Sequence, residues 1–189
     1  GALPADPTAA PLALAIAILS LAIVATIGLW LVAVRGTALL PLGVAGVVLI
    51  VAYTSWITRN PYACLVAPGL GFGPLMVVGT HIAVAGRYDT AAGIAALVPF
   101  FLVSALLLLN QFPDVEADRE AGRRHLPIAW GRPRAARAFV TLYALAYLSL
   151  VAGVVAGALP WPCLLGLVTL TLAIPAARDV LRHPDNVKA

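Results

Sequence analysis

Apolar residues run in long unbroken blocks along this chain, without the alternation of a half-buried strand. Six blocks stand out, at residues 11–34, 37–56, 70–85, 91–110, 138–159 and 161–176. Each holds about 16–24 residues, against the ~20 that carry a helix across ~30 Å of hydrocarbon. A closed barrel is the other structure that satisfies every backbone group in lipid, but it needs short alternating strands, which these blocks are not. The third and sixth blocks are the shortest. Glycine and proline recur inside the blocks, as membrane helices tolerate. The pattern predicts an all-α polytopic transmembrane helix bundle of about six spans. With no internal repeat and no low-complexity linker, residues 1–189 read as a single domain.

Composition strengthens this. The chain is 62% hydrophobic and only 11% charged, where a soluble domain is nearer half apolar and a quarter charged, so a soluble enzyme is excluded. Cys64 and Cys163 have no metal-ligand spacing and read as small buried apolar residues. The first ten residues carry no positive charge and do not form a secretory leader. Basic residues set the orientation. Arg119, Arg123, Arg124, Arg132, Arg134 and Arg137 lie between blocks four and five. Arg178, Arg182 and Lys188 follow block six, and Arg59 follows block two. Only Arg35 and Arg87 fall on the other side if the spans alternate. The charged segment, and with it the N-terminus, is therefore expected in the cytoplasm.

That segment, "NQFPDVEADREAGRRHLPI" at residues 110–128, is the exception to the apolar pattern. Pro113 is expected to end the fourth span and to open a short helix over residues 114–122. On such a helix Asp114 and Asp118 are four apart, as are Glu116 and Glu120, on roughly opposite faces. Glu116 has Arg119 three residues on, and Glu120 has Arg123 and Arg124 at three and four, the spacing of ordinary surface ion pairs. The aspartates meet only alanine and glycine at those offsets, which leaves their face acidic and open. Two like charges one turn apart are best explained by a cation between them. Mg²⁺ is commonly held by one or two carboxylates plus substrate phosphate oxygens, and arginines grip the same phosphates. By spacing alone, a solvated loop that merely enforces topology accounts for these charges as well.

The larger pattern is more specific. "NQFPDVEADREAGRRHLPIAWG" resembles the second aspartate-rich motif of the UbiA superfamily of intramembrane prenyltransferases, with Asn110, Asp114, Asp118, Gly122, Arg123 and Gly131 at the matching positions. "YTSW" at Tyr53 and "GLGFGPLMVVGTHIAVAGRYD" from Gly69 look like the segment between that family's fourth and fifth helices and the helix after it, closest in flavour to the menaquinone branch. The resemblance implies a bundle around a cavity, with Mg²⁺ and an isoprenyl diphosphate held between two aspartate-rich motifs. Loss of diphosphate would leave an allylic cation for an acceptor, usually aromatic, to attack, as in quinone biosynthesis. The implied partners are an isoprenyl diphosphate, that acceptor and membrane lipid, with no nucleic acid. The implied setting is a bacterial or archaeal plasma membrane. By the same resemblance Asp114 and Asp118 are the catalytic pair and metal ligands, and Asn110, Arg123 and Arg124 contact substrate. By their position at the same end Arg59 reaches the diphosphate or simply snorkels, and Tyr53 lines the cavity or sits in the interfacial belt.

The departures are equally plain. The family usually has about nine helices, and its first aspartate-rich run is missing here. Aligning the second motif makes the chain resemble a piece that lacks the N-terminal helices and the last helix, and that is incomplete as a catalyst alone. Phe72 stands where menaquinone-branch relatives often carry an acid. Two other classes stay open: a non-enzymatic transporter or scaffold fragment, and a different Mg²⁺-dependent lipid transferase. Enzymes that move phosphatidyl groups from CDP-linked lipids also use D-x-x-x-D, but their motif opens with Asp-Gly, which occurs nowhere here. His81, inside the third block, reads as a neutral hydrogen-bonded structural residue, and His125 as a solvated loop residue. Trp30, Trp56 and Trp161 sit at span ends as interfacial anchors.

Overall fold

The computed structural model describes residues 9–185 and 187, and those residues contain helices and turns with no strand. Lys188 and the first eight residues, on which part of the orientation argument rested, lie outside the described residues. Helix α1 (Ala9–Arg35) ends at Gly36, whose φ of 97° breaks the run. A 3₁₀ turn leads into α2 (Leu40–Ser55), with a second over Ile57–Arg59. Asn60 then caps α3 (Pro61–Leu70): its side-chain oxygen accepts from the backbone N–H of Tyr62 and of Ala63, both at 3.0 Å. The chain continues unbroken through a π-helical stretch, Gly71–Val78, into α4 (Gly79–Ala85).

The third apolar block is thus not the shortest span. It starts at Pro61 and forms one helix of 25 residues to Ala85. Pro68 and Pro74 lie inside it. Each removes a donor and crowds the carbonyl four residues back, and the wider π winding around Pro74 relieves that crowding without ending the helix. Gly86, at φ 70°, closes it, and Asp89 caps α5 (Thr90–Asn110) by accepting from Ala91 N at 2.8 Å. Two short helices come next, α6 (Val115–Glu120) and α7 (Leu126–Trp130). The long α8 (Arg132–Val155) succeeds them. A 3₁₀ stretch, Trp161–Thr169, then runs on into α9 (Leu170–Arg182).

Among the described residues five helices are long and apolar enough to cross a membrane, and Thr37–Tyr53 forms a shorter apolar one, so the six blocks survive as an all-α polytopic bundle. Their bounds shift. The fifth span begins at Arg132, putting Arg132, Arg134 and Arg137 in the first two turns of α8 rather than in a loop. The sixth runs from Trp161 to Arg182.

Helix α5 is the centre of the packing, flanked by α3 with its π-helical continuation and by α8. Glycines allow the closest approach. A Cβ at Gly69 would fall on the Ser104 hydroxyl and the Phe100 carbonyl, and one at Gly73 would lie 2.5 Å from the Ala96 carbonyl. This is the small-residue packing by which lipid-embedded helices gain van der Waals contact. Contacts sort the turns into two ends. Arg124 N donates to Thr58 O at 2.8 Å, and Arg132 lies 3.8 Å from Asp185, so the turns after α2, α5 and α9 share one end. Leu39 packs with Val78 and Ile82, and a Cβ at Gly153 would meet Leu159 and Ile94, which gathers the remaining turns at the other end. The first end carries every arginine except Arg35 and Arg87. Trp30, Trp56 and Trp161 are 60% or more exposed, as residues facing lipid or its interface would be.

Candidate active site

At the arginine-rich end a buried cluster of Ala105, Leu108, Phe112, Leu126, Ala135, Ala136, Phe139 and Val180 ties α5, α7, α8 and α9 together beneath the charged segment. Phe112 and Leu126, each 1% exposed, anchor the segment at both sides of α6. Arg132 adds a hydrogen bond to the Phe112 carbonyl at 3.4 Å.

Pro113 lies in the turn before α6 rather than at its first position. Asp114 is the N-cap, and its carbonyl accepts from Asp118 N at 2.8 Å. The Asp114 side chain is exposed and makes no hydrogen bond or ion pair among the described residues. Glu116 and Arg119 form the expected surface pair at 2.7 Å. The other expected pairing, of Glu120 with Arg123 and Arg124, is absent among the described residues. The helix stops at Glu120, and Gly122 takes φ 74°. Gly122 N then donates to Arg119 O at 3.1 Å and Arg123 N to Asp118 O at 2.9 Å, the double bond of a left-handed glycine cap. The cap folds the chain back, and the Arg123 guanidinium reaches Asp118 Oδ1 at 2.7 Å instead of Glu120.

The aspartate face is therefore not uncompensated at Asp118. Its second oxygen, Oδ2, lies 3.1 Å from Nε2 of His125. His125 is 2% exposed, contrary to its expected solvated position, because it caps α7 and is carried inward with Leu126. The contact is off the line that a hydrogen bond requires, and neither ring nitrogen has another hydrogen-bond partner among the described residues. Burial pushes the imidazole below its usual pKa and outweighs the nearby Asp118 carboxylate, which pulls the other way. The full charge that pairs with Asp118 is the Arg123 guanidinium.

Tyr53 and Cys64 lie within electrostatic reach of Asp118 and Arg123. Gln111 Nε2 donates to Cys64 Sγ at 3.4 Å, so Cys64, 5% exposed as its apolar reading expected, also has a polar contact. The bond from Arg124 N to Thr58 O sets Arg124 beside the turn that carries Arg59, and both arginine side chains are exposed. Of the residues read from the sequence, Tyr53, Asp118 and Arg123 come together. Arg59 and Arg124 border them, and Asp114 stands one turn away. Asn110 ends α5 with an exposed side chain and no hydrogen bond among the described residues. Gln111 and Cys64 carry no sequence signal as site residues, and His125, which could have joined the phosphate site, was expected in a solvated loop. Gly122 with Arg-Arg-His directly after it was the available signal, since a glycine stop re-aims the next side chains.

His81 is only partly as expected. Its Nε2 is buried with no hydrogen-bond partner among the described residues, and it lies toward the other end of the bundle. There an apolar cavity of about 600 Å³ opens between α1, α2 and the π-helical stretch, with Leu29, Val44 and Met76 among its walls.

For a metal, the donors at the charged end are hard carboxylate oxygens, the type Mg²⁺ prefers. No group of three or more His, Cys, Asp or Glu side chains among the described residues is arranged to hold an ion. An all-protein cage is therefore absent among the described residues, and an ion held at this end would take ligands from water and a bound phosphate as well.

Comparison with curated proteins and with solved structures gives no match to the chain. Comparison with family models matches residues 5–189 to the UbiA prenyltransferase family. That match covers nearly the whole chain and agrees with the all-helical membrane bundle. The chain belongs to the UbiA prenyltransferase family.

Proposed function

We propose that the arginine-rich end binds an isoprenyl diphosphate with Mg²⁺, for transfer of the isoprenyl group to an acceptor. The observation that carries this reading is the Asp118–Arg123 pair at 2.7 Å, closed by the Gly122 turn and set near half-buried Tyr53. A carboxylate and a cation side by side are the side-chain types that bind a metal ion and a diphosphate, which supports this reading. Mg²⁺ would supply the positive charge that stabilises a departing diphosphate.

In this reading Asp114 and Asp118 hold the metal. Arg123 holds Asp118 in place until phosphate oxygens offer it a second partner. Arg124 and Arg59, on neighbouring turns, grip the same phosphates, and Asn110 adds a polar contact. The ring face of Tyr53 stabilises positive charge on the isoprenyl carbon. His125 is buried against the second oxygen of the Asp118 carboxylate and covers its inner side. The apolar cavity of about 600 Å³ offers surroundings for a hydrocarbon chain. An aromatic acceptor and a place in quinone biosynthesis are the finer reading, as is a cytoplasmic position for the charged end.

Binding tests this without requiring turnover. A non-hydrolysable isoprenyl diphosphate analogue should bind the detergent-solubilised chain only with Mg²⁺ present. Asp114→Ala and Asp118→Ala should each weaken binding by about tenfold or more, as loss of one charged metal-site partner does. Glu116→Ala should leave it unchanged. Equal loss in all three variants, or binding that ignores Mg²⁺, would overturn the proposal.

A further inference from the structure

A second groove, of about 520 Å³, lies at the arginine-rich end on the outer side of α8, between α8, α3 and α7. It is separate from the aspartate site. On α3, Cys64 takes the Gln111 contact, while the next residue, Leu65, lines this groove. One face of α8 forms its floor: Arg134, Arg137, Ala138, Thr141 and Leu142, spaced three and four apart. Trp130 forms a wall and is held edge-on by Tyr62 at 5.8 Å between ring centroids.

The groove changes character with depth. Arg134 and Arg137 stand in the first two turns of α8, and Thr141 and Leu142 lie one to two turns deeper along a helix that rises about 1.5 Å per residue. A cationic rim thus passes through a hydroxyl to an apolar floor within about 12 Å. Both arginine side chains are exposed and have no ion pair or hydrogen bond among the described residues. Their placement is otherwise unfavourable: no acid lies in the first turn of α8, and cations at a helix N-terminus oppose its dipole. Arg132 beside them has the Phe112 carbonyl and Asp185, but nothing described neutralises the other two. Topology alone accounts for positive charge at this end, but not for two free arginines above a walled apolar trough beside an interfacial tryptophan.

We infer that this groove holds an anionic phospholipid, with its phosphate on Arg134 and Arg137 and the start of one acyl chain along Leu65 and Leu142. Charge complementarity selects the headgroup, and the apolar floor selects a lipid over a soluble anion. Thr141 stands at the depth of the ester linkage.

The chain, purified in a mild detergent, should be titrated with phosphatidylglycerol or phosphatidylcholine and the bound lipid counted by native mass spectrometry. One phosphatidylglycerol should bind tightly and phosphatidylcholine should not. The double variant Arg134→Gln, Arg137→Gln should bind it about thirtyfold more weakly, from roughly a factor of five per basic residue. Arg119→Gln removes an equally exposed arginine elsewhere and should match the parent. Excess inorganic phosphate should not displace the lipid. Retention of phosphatidylglycerol by a folded double variant, equal binding of phosphatidylcholine, or displacement by phosphate would each refute the inference. If the double variant fails to fold, the single variants Arg134→Gln and Arg137→Gln take its place: each should weaken phosphatidylglycerol binding about fivefold, and unchanged binding by both would refute the inference equally.

Discussion

Gly122 decides the chemistry of its neighbours more than any charged residue does. At φ 74° it adopts a conformation that costs an L side chain about 1–2 kcal/mol, and it reverses the chain after only six helical residues. Without that reversal Arg123 would lie over Glu120 and Asp118 would face solvent unpaired. Gly122→Ala is expected to lower the melting temperature of the detergent-solubilised protein by about 2–8 °C, the shift that 1–2 kcal/mol produces in a chain of this size. Circular dichroism during heating measures it. The same variant should weaken the Mg²⁺-dependent analogue binding more than Glu116→Ala does, because it frees Arg123 from Asp118. His125 illustrates the same scale from the other side. Its sequence position beside arginines suggests water, yet the α7 turn buries it against Asp118.

Between elements, the pairing of the kinked third helix with α5 rests on glycines at four-residue spacing. Gly69 and Gly73 face α5, whereas a Cβ at Gly71 would meet only Leu49 Cδ2 at 3.6 Å, an ordinary contact. Gly69→Ala and Gly73→Ala should therefore each destabilise the protein by about 1–3 kcal/mol, since backbone atoms must separate. Gly71→Ala, at a helical φ of −62°, should be neutral or slightly stabilising. Thermal unfolding of the three variants side by side separates them. If Gly71→Ala proved as costly as the other two, the packing face assigned to this helix would be wrong. The kink also has a consequence for reach. Pro68, Pro74 and the π winding keep the helix continuous from the aspartate end, at Cys64, to the apolar cavity, at Met76.

Across the whole molecule, charge is segregated by end. Arg59, the 119–137 arginines, Arg178 and Arg182 share one end, and Arg35 and Arg87 the other. The asymmetry predicts that the first end faces the cytoplasm. In a background lacking Cys64 and Cys163, Glu120→Cys should react with an impermeant maleimide only after cells are opened, and Arg87→Cys should react in intact cells. The reverse pattern would invert the topology, while labelling of both in intact cells would contradict an odd number of crossings between them. The two ends also differ in character: the charged segment and the arginine-lined groove lie at one, the apolar cavity at the other.

Sequence alone determined the class, the six apolar blocks, the charge asymmetry and the spacing of the two aspartates. Those properties are read along one dimension: run length against hydrocarbon thickness, and spacing against the helical repeat. Only the tertiary structure decided that Pro61 to Ala85 is one helix, that Arg123 turns to Asp118, and that His125 is buried. Each depends on where a helix stops or bends and on which distant residue then meets it. A proline ends a helix or merely widens it according to what packs alongside, and a glycine stop aims the next side chains by geometry that residue spacing does not contain.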